Sequence, residues 1–169
     1  MDGKIIGVIS DTHGLVRPEA LEALKGAQLI VHAGDIGSSR VLESLRTIAP
    51  VVAVRGNMDS GEWAMTLPGT EVIQFAKTLI YVIHDLNKLD LDPVAAGISA
   101  VICGHSHMPS IQGHKGVLLL NPGSAGPRRF DLPPSVAMIY VRGGALAPLL
   151  IELKPALAVK QSNPLRPTG

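Results

Sequence analysis

The first half of the chain alternates between short apolar runs and segments in which apolar residues recur at helical spacing. Apolar runs rich in β-branched residues predict strands at 4–9, 29–33 and 51–55. The helical spacing predicts helices at 18–25 and 39–48. This strand–helix order favours a parallel sheet with right-handed crossovers, so the three strands are expected to end at the same edge.

The second half is richer in strands. Apolar runs predict strands at 70–75, 79–84, 100–103, 110–114, 117–120, 135–142 and 146–153, with one helix at 93–97. Ten predicted strands are too many for a single sheet of ordinary size, so we expect two mixed sheets packed face to face. A chain of 169 residues predicts one domain, here 1–154. The pattern is lost after that point, which predicts a flexible tail at 155–169.

Five of the predicted strands stop at residues that can ligate a metal. The carboxyl ends of strands are where ligand sites gather in α/β sheets. In extended backbone, residues two apart point to the same side, so paired donors after a strand are expected to face one site. Burying this many donors without a cation is costly, which favours a metal site. The donors are Asp11, His13, Asp35, Asn57, His84, His105 and His107.

Composition narrows the function classes. Charged residues make up 17% of the chain, and no apolar run approaches the roughly 20 residues of a membrane helix. The apolar run near the N-terminus breaks at Asp11, so neither a signal peptide nor membrane association is predicted, and a cytoplasmic location is expected. A net charge of +1 and only five aromatic residues disfavour a dedicated nucleic-acid binder. The composition is compatible with both a monomer and a homo-oligomer.

The spacing of these motifs resembles that of the calcineurin-like metallophosphoesterases. The matching blocks are Asp11-x-His13, Gly34-Asp35, Gly56-Asn57, His84 and Gly104-His105-Ser106-His107. Asn121-Pro122-Gly123-Ser124 followed by Pro127-Arg128 is similar to the small bacterial and archaeal phosphodiesterases of that superfamily. The resemblance implies an α/β fold, a four-layer αββα sandwich of two mixed β-sheets flanked by helices. It also implies two divalent metal ions, manganese first, with nickel, iron or zinc as alternatives.

The resemblance also implies roles for the donors. It assigns the first ion to Asp11, His13, Asp35 and His107, and the second to Asp35, Asn57, His84 and His105, so that Asp35 bridges. Asp35, Asn57 and His105 are the catalytic candidates. The predicted function is a phosphodiesterase that hydrolyses a small phosphate ester with a hydroxide bridging two metals. The alternative is a catalytically weak scaffold, like the retromer subunit that resembles this fold.

Two positions depart from the family pattern. Met58 stands where many members have a histidine that aids catalysis, so the general acid is left unassigned. Asp85 stands where glycine is usual, and its carboxylate either adds charge near the second ion or points to solvent. Asp59 is expected to cap the next helix.

Several other side chains have alternative interpretations. His32 is expected to lie in the core or behind the ligands, and Cys103 to be a small buried hydrophobe. The segment 121–124 predicts a type II turn, with a place near the pocket left open. Arg128 and Arg129 either clamp a phosphate or are solvated.

Overall fold

The computed structural model describes residues 3–155, which form ten strands in two five-stranded sheets. The predicted tail, apart from Pro155, lies outside the described residues. The strands are β1 (Lys4–Ile9), β2 (Leu29–His32), β3 (Val51–Ala53), β4 (Thr70–Phe75), β5 (Thr78–Ile83), β6 (Ala100–Ile102), β7 (Ser110–His114), β8 (Val117–Asn121), β9 (Ser135–Arg142) and β10 (Ala145–Glu152). The helices are α1 (Pro18–Ala23), α2 (Ser39–Arg46), α3 (Glu62–Met65) and a 3₁₀ helix (Leu86–Lys88).

The first sheet has the strand order β10-β9-β1-β2-β3. β1, β2 and β3 are parallel, as predicted, and β9 and β10 run antiparallel to their neighbours. Pro148 lies on the edge strand β10, where a missing N–H is tolerated. The carboxyl ends of β1, β2 and β3 therefore share one edge.

The second sheet has the order β4-β5-β6-β8-β7. Its centre is parallel, from β5 through β6 to β8, and the outer strands β4 and β7 are antiparallel. The carboxyl ends of β5 and β6 consequently lie at one edge of this sheet.

Successive side chains of a strand point to opposite faces of its sheet, and each face of both sheets packs against an apolar cluster. Between the sheets lies an apolar core that includes Ile6, Val31, Ile80, Ile102 and Ile139, all fully buried. The other face of the first sheet packs against α1 and α2 through a second cluster that includes Leu24, Ile30, Leu42 and Leu45. Burial of this apolar area stabilises the frame that holds the strand ends.

The outer layer on the second sheet contains fewer helices than predicted. The segment 86–98 covers that face through Leu89, Leu91 and Ile98. The predicted helix at 93–97 is wrong, because the segment forms only hydrogen-bonded turns and Gly97 has a φ of 71°. No bounds were predicted for α3 or for the 3₁₀ helix. The four-layer sandwich is confirmed, with a largely irregular fourth layer.

Within residues 3–155, none of the helices has the length and apolar character needed to cross a membrane.

Candidate metal centre

The structure brings the seven predicted donors together where the carboxyl edges of the two sheets meet. Loops after β1, β2 and β3 supply donors from the first sheet, and loops after β5 and β6 supply the rest. Backbone hydrogen bonds tie these loops together: Asp11 N–H donates to Gly34 O at 3.0 Å, and His13 N–H donates to Asp35 O at 3.0 Å. The Gly104 N–H donates to His84 O at 2.9 Å. The donors therefore have positions set by the sheet frame.

One cluster consists of Asp11, His13 and His107, whose ligand atoms all lie within 4.8 Å of one another. The two Nε2 atoms of the histidines are 3.5 Å apart, and His107 Nε2 is 3.2 Å from Asp11 Oδ1. Asp11 Oδ2 accepts hydrogen bonds from the Ser10 hydroxyl and the His105 N–H. By contrast, no group among the described residues hydrogen-bonds to Asp11 Oδ1 or His107 Nδ1, although both atoms are buried.

The second cluster consists of Asp11, Asp35 and His84. Asp35 Oδ2 lies 3.3 Å from His84 Nε2 and 3.9 Å from His13 Nε2, so it faces donors of both predicted sets. Asn57 Oδ1 is 3.0 Å from His84 Nε2 and 3.1 Å from His105 Nδ1. The residue common to both compact clusters is Asp11, and the bridging role of Asp35 stays a prediction.

The ring of His84 is held so that one nitrogen faces oxygen atoms. Its Nδ1–H donates to the Ala33 carbonyl at 2.7 Å, so Nε2 carries the lone pair of the neutral ring. That lone pair faces Asp35 and Asn57, and a proton or a cation between these atoms removes the repulsion. Burial lowers the pKa of His84, but the hydrogen bonds to Asp35 and Ala33 outweigh burial and raise it overall.

Asp35 shows the complementary shift. Burial raises its pKa, but hydrogen bonds from His84 and from the Met58 N–H outweigh burial and lower the pKa overall. The Met58 N–H lies 2.9 Å from Asp35 Oδ1, which leaves Oδ2 to face the histidines. The cluster therefore favours an ionised carboxylate beside a positive charge.

The backbone at the donors differs from the extended conformation that the sequence analysis expected. Left-handed φ values of 46° to 68° occur at Asp11, His13, Asp35, His105 and His107. Non-glycine residues in this region cost of order 1–3 kcal/mol each and cluster at functional sites. The i and i+2 partners do face one site, but they reach it through sharp turns after the strands.

Glycines permit the close approach of these turns. A Cβ on Gly104 would overlap Ser10 Oγ and lie close to Asp11 Oδ2. A Cβ on Gly56 would overlap the Asp35 carboxylate. Glycine is therefore needed before His105 and before Asn57, because a side chain at either position would collide with a neighbouring donor loop.

Asp59 supports the site in a way that the sequence analysis missed. It does not cap α3, whose first residue follows Gly61 without a side-chain cap. Its Oδ1 accepts the Gly37 N–H and its Oδ2 accepts the Gly56 N–H, each at 2.9 Å. This buried carboxylate ties the Asp35 loop to the Asn57 loop. No local sequence signal marks the contact, because Gly37 lies far along the chain.

The segment 121–124 supports the other side of the site. Gly123 has a φ of 78°, as a type II turn requires at that position. The Asn121 amide donates to Gly104 O at 2.9 Å, and the Ser124 hydroxyl donates to Asp11 O at 3.0 Å. The loop therefore lies next to the site, where it supports the segments that carry Asp11 and His105.

His32 and Cys103 have the predicted places behind the site. The Thr12 hydroxyl donates to Ile36 O and so accepts a hydrogen bond from His32 Nε2–H, while His32 Nδ1 accepts the Gly34 N–H. Burial, reinforced by the charge on His84, lowers the pKa of His32 to about 3, which keeps the ring neutral. Cys103 is buried among apolar side chains, and burial raises its pKa to about 11.

The two departures from the family pattern lie at the mouth of the site. The Met58 side chain is 65% exposed. Asp85 Oδ1 accepts the Asn87 N–H at 3.0 Å, and Asp85 Oδ2 lies 3.9 Å from His105 Nε2. Asp85 therefore starts the 3₁₀ helix and also places negative charge near His105.

Two further regions border the donors. Arg128 and Arg129 both line a small cavity together with His107, and Arg128 also donates to Asp131 O at 3.2 Å. A polar cavity of about 340 Å³ adjoins Asn57 and His84 and is lined by side chains that include Arg55, Thr70, Tyr81, Lys88 and Asp90. The donors consequently have polar space on one side and arginine side chains on the other.

The fold and the donor set define a metal-dependent phosphoesterase architecture, and comparisons with known proteins agree. Residues 5–144 match the family model of the calcineurin-like phosphoesterase superfamily domain. A "probable metallophosphoesterase" of Methanocaldococcus jannaschii is 40% identical, over 71% of this chain and 67% of that protein. The phosphodiesterase YfcE of Escherichia coli is 27% identical, over 77% and 84%. Wild-type Vps29 of Entamoeba histolytica, complexed with Zn²⁺, is 23% identical with a TM-score of 0.66, over 89% and 99%.

The chain therefore belongs to the calcineurin-like phosphoesterase superfamily. Members of this family use divalent metals, and the two clusters are candidate ligand groups for them.

Proposed function

We propose that the protein is a metal-dependent phosphodiesterase whose seven donors hold two divalent ions. The observation that carries the proposal is the carboxylate of Asp11. Its Oδ1 is buried with no hydrogen-bond partner in the described part of the chain, and it lies 3.2 Å from His107 Nε2 and 4.0 Å from His84 Nε2. A buried, unpaired carboxylate oxygen is costly, and a cation between it and the imidazoles removes that cost.

The chemistry of the donors narrows the choice of ion. Carboxylate and amide oxygens mixed with imidazoles, without a thiolate, suit manganese, iron, zinc or nickel. Manganese is our first choice among these. Divalent ions, when bound, make water acidic enough to attack near neutral pH and offset negative charge on the phosphate.

The residues of the chain position the reacting groups. Asp35, held by the Met58 N–H, presents Oδ2 towards both sets of histidines. Asn57 presents its amide oxygen between His84 and His105. Asp35, Asn57 and His105 are the catalytic residues in this proposal, because Asp35 faces both sets of histidines and Asn57 lies beside His105, whose side chain is 42% exposed. Fixed position and charge are the main protein contributions to phosphoryl transfer.

A diester is the favoured substrate class for two reasons. The relative in Escherichia coli is named a phosphodiesterase. In addition, the cavity of about 340 Å³ beside Asn57 and His84 has room for a substituent on the phosphate. A small phosphate ester hydrolysed in the cytoplasm is part of the proposal.

A scaffold function is supported only by the likeness in fold to Vps29, which is below 25% identity. A scaffold does not need its metal donors, and this chain retains all seven predicted ones. The donor set therefore favours an enzyme.

The test is hydrolysis by the full-length protein after metal removal and reconstitution with Mn²⁺, Ni²⁺, Fe²⁺ or Zn²⁺. We expect bis(4-nitrophenyl) phosphate to be cleaved faster than 4-nitrophenyl phosphate, and only with metal present. Asp11→Asn should abolish activity. Asp92→Asn is the matched control, because Asp92 accepts N–H groups in a surface turn. Activity of the metal-free protein, or of Asp11→Asn, would refute the proposal.

A further inference from the structure

Exposed apolar side chains follow the metal donors in four loops. Leu15 lies just after His13 and is 39% exposed, and Met58, directly after Asn57, is 65% exposed. Leu86 lies just after His84 and is 36% exposed, and Met108, directly after His107, is 61% exposed. These loops leave β1, β3, β5 and β6 at the edge where the donors meet, and each of the four apolar residues lies within two positions of a donor.

A fifth apolar side chain comes from the loop between β8 and β9. Phe130 is 81% exposed, and both Phe130 and Asp131 have left-handed φ values, of 56° and 54°. The same loop is tied to the site by Ser124, which donates to Asp11 O, and Arg129 lines a small cavity with His107. We call Leu15, Met58, Leu86, Met108 and Phe130 the apolar rim.

Polar side chains between the donors are largely engaged in holding the loops. Asp59 accepts two backbone N–H groups, and Asn121 binds Gly104 O and Ser106 Oγ. Ser10 and Ser124 are hydrogen-bonded to Asp11. What this side of the site offers to a substrate is therefore apolar surface together with the charges of Arg128 and Arg129. Exposed apolar patches of this kind mark binding sites, and methionine adapts to varied apolar shapes.

Building on the proposed function, we propose that the substrate carries an apolar alkyl or aryl substituent that packs on the apolar rim. The phosphate would lie over the metal donors and the substituent would extend across Met58, Met108 or Phe130. On the rim, a sugar or polyol substituent would leave its hydroxyl groups against apolar side chains, which is unfavourable, whereas the polar cavity beside Asn57 and His84 offers partners to a second substituent of a diester.

The expected strength follows from the partial exposure of the rim. A fully buried methylene group contributes about 0.8 kcal/mol, or roughly fourfold in affinity. A half-open rim should give about twofold per methylene. Lengthening a substituent from methyl to butyl should therefore tighten binding by roughly eightfold.

The experiment measures binding rather than turnover. The full-length protein is loaded with Mn²⁺ and titrated calorimetrically with methyl-, butyl- and octylphosphonate, and with 3-hydroxypropylphosphonate, which matches butyl in length. We expect Kd to fall along the alkyl series and the hydroxyl compound to bind several-fold more weakly than butyl. The triple variant Met58→Ser, Met108→Ser, Phe130→Ser should bind methylphosphonate like the parent but lose most of the gain with chain length.

The matched control is Leu149→Ser, which removes an exposed apolar side chain from the edge strand β10. It should retain the full gain with chain length. A Kd that does not change along the series, a hydroxyl compound that binds as tightly as butyl, or a gain that survives in the triple variant would each overturn the proposal. The proposal would also be overturned if the rim is a contact between two copies of the chain. In that case the parent would be a dimer, and the triple variant would be monomeric but keep the gain in affinity with chain length.

Failure of this proposal is distinct from failure of the proposed function. Hydrolysis of phosphodiesters with a flat alkylphosphonate series would refute the apolar rim alone. Tighter binding of longer alkylphosphonates without any hydrolysis would refute the enzyme function alone.

Discussion

The two sets of donors at the sheet edges differ in how far the protein satisfies them by itself. In the first set, Asp11 Oδ1 and His107 Nδ1 are buried without hydrogen-bond partners among the described residues. In the second set, His84 Nε2 lies 3.3 Å from Asp35 and 3.0 Å from Asn57, and His84 Nδ1 donates to Ala33 O. The pKa of His84 is raised, so a proton there can satisfy the second set, whereas burial lowers the pKa of His107 and disfavours a proton beside Asp11. The first set therefore depends more strongly on a cation.

Among the variants that compare the two sets, the largest effect is expected for Asp35, the carboxylate that faces both of them. Asp35→Asn removes the negative charge between His84 and His13, so both ions should be held less well. We expect kcat/KM to fall by about 10³-fold, beyond the 10–100-fold loss typical of groups that only orient ligands. His13→Ala removes one donor of one set and should cost less. Kinetics with metal analysis of both variants is the measurement, and near-normal activity with two ions in Asp35→Asn would show that Asp35 does not bridge.

The second prediction tests the contrast between the two sets directly. An unpaired buried polar group costs about 1–3 kcal/mol, so relieving it should make the ion at the first set bind roughly 5- to 150-fold more tightly. Titration with a chelator should remove the two ions in separate steps, measured by elemental analysis. His107→Ala should abolish the tight step and His84→Ala the weak one. Two ions released together from the parent would contradict this contrast.

The third prediction concerns the support of the second set by Asp59. Asp59→Asn keeps one acceptor oxygen but loses the other, so one of the Gly37 and Gly56 N–H groups becomes unpaired. We expect about 2 kcal/mol of lost stability and roughly tenfold weaker binding of the second ion. Asp92→Asn, which changes a carboxylate in a surface turn, should leave metal binding unchanged. Loss of stability with intact metal affinity would limit Asp59 to a structural role.

The sequence predicted the sheets and the positions of the donors well, for a physical reason. Buried strands are marked by apolar runs, and the polar residues that end them mark the edge where a site forms. β1 to β3 are parallel and their ends share an edge, as the strand–helix order indicated. These features depend on local patterns and on chain topology.

Features that depend on distant contacts were not predictable. Asp59 was interpreted as a helix cap, because its acceptor role towards Gly37 exists only after the two loops meet. The left-handed backbone at Asp11 and His107 was expected to be extended, since a turn imposed by packing leaves no trace in the run of residue types. The helix predicted at 93–97 failed for a local reason, because Gly97 ends the segment after one turn.

The last prediction concerns Met58, which stands where the resemblance to the family implies a histidine. A thioether cannot donate a proton, so the rate should depend strongly on the acidity of the leaving group. Aryl phosphodiesters should then be cleaved far better than alkyl ones, because general acid catalysis is typically worth 10²–10⁴-fold. The measurement is log kcat/KM against the pKa of the leaving group.

Met58→His sharpens this test, because the backbone N–H that holds Asp35 is retained in the variant. The side chain at this position is 65% exposed, so an imidazole there has space to reach a leaving oxygen above the donors. We expect the variant to flatten the dependence partly, by about tenfold for alkyl substrates and little for aryl ones. A flat line for the parent would mean that another group supplies the proton. One candidate is His105, whose Nε2 lies 3.9 Å from Asp85 Oδ2, and Asp85→Asn should then steepen the line.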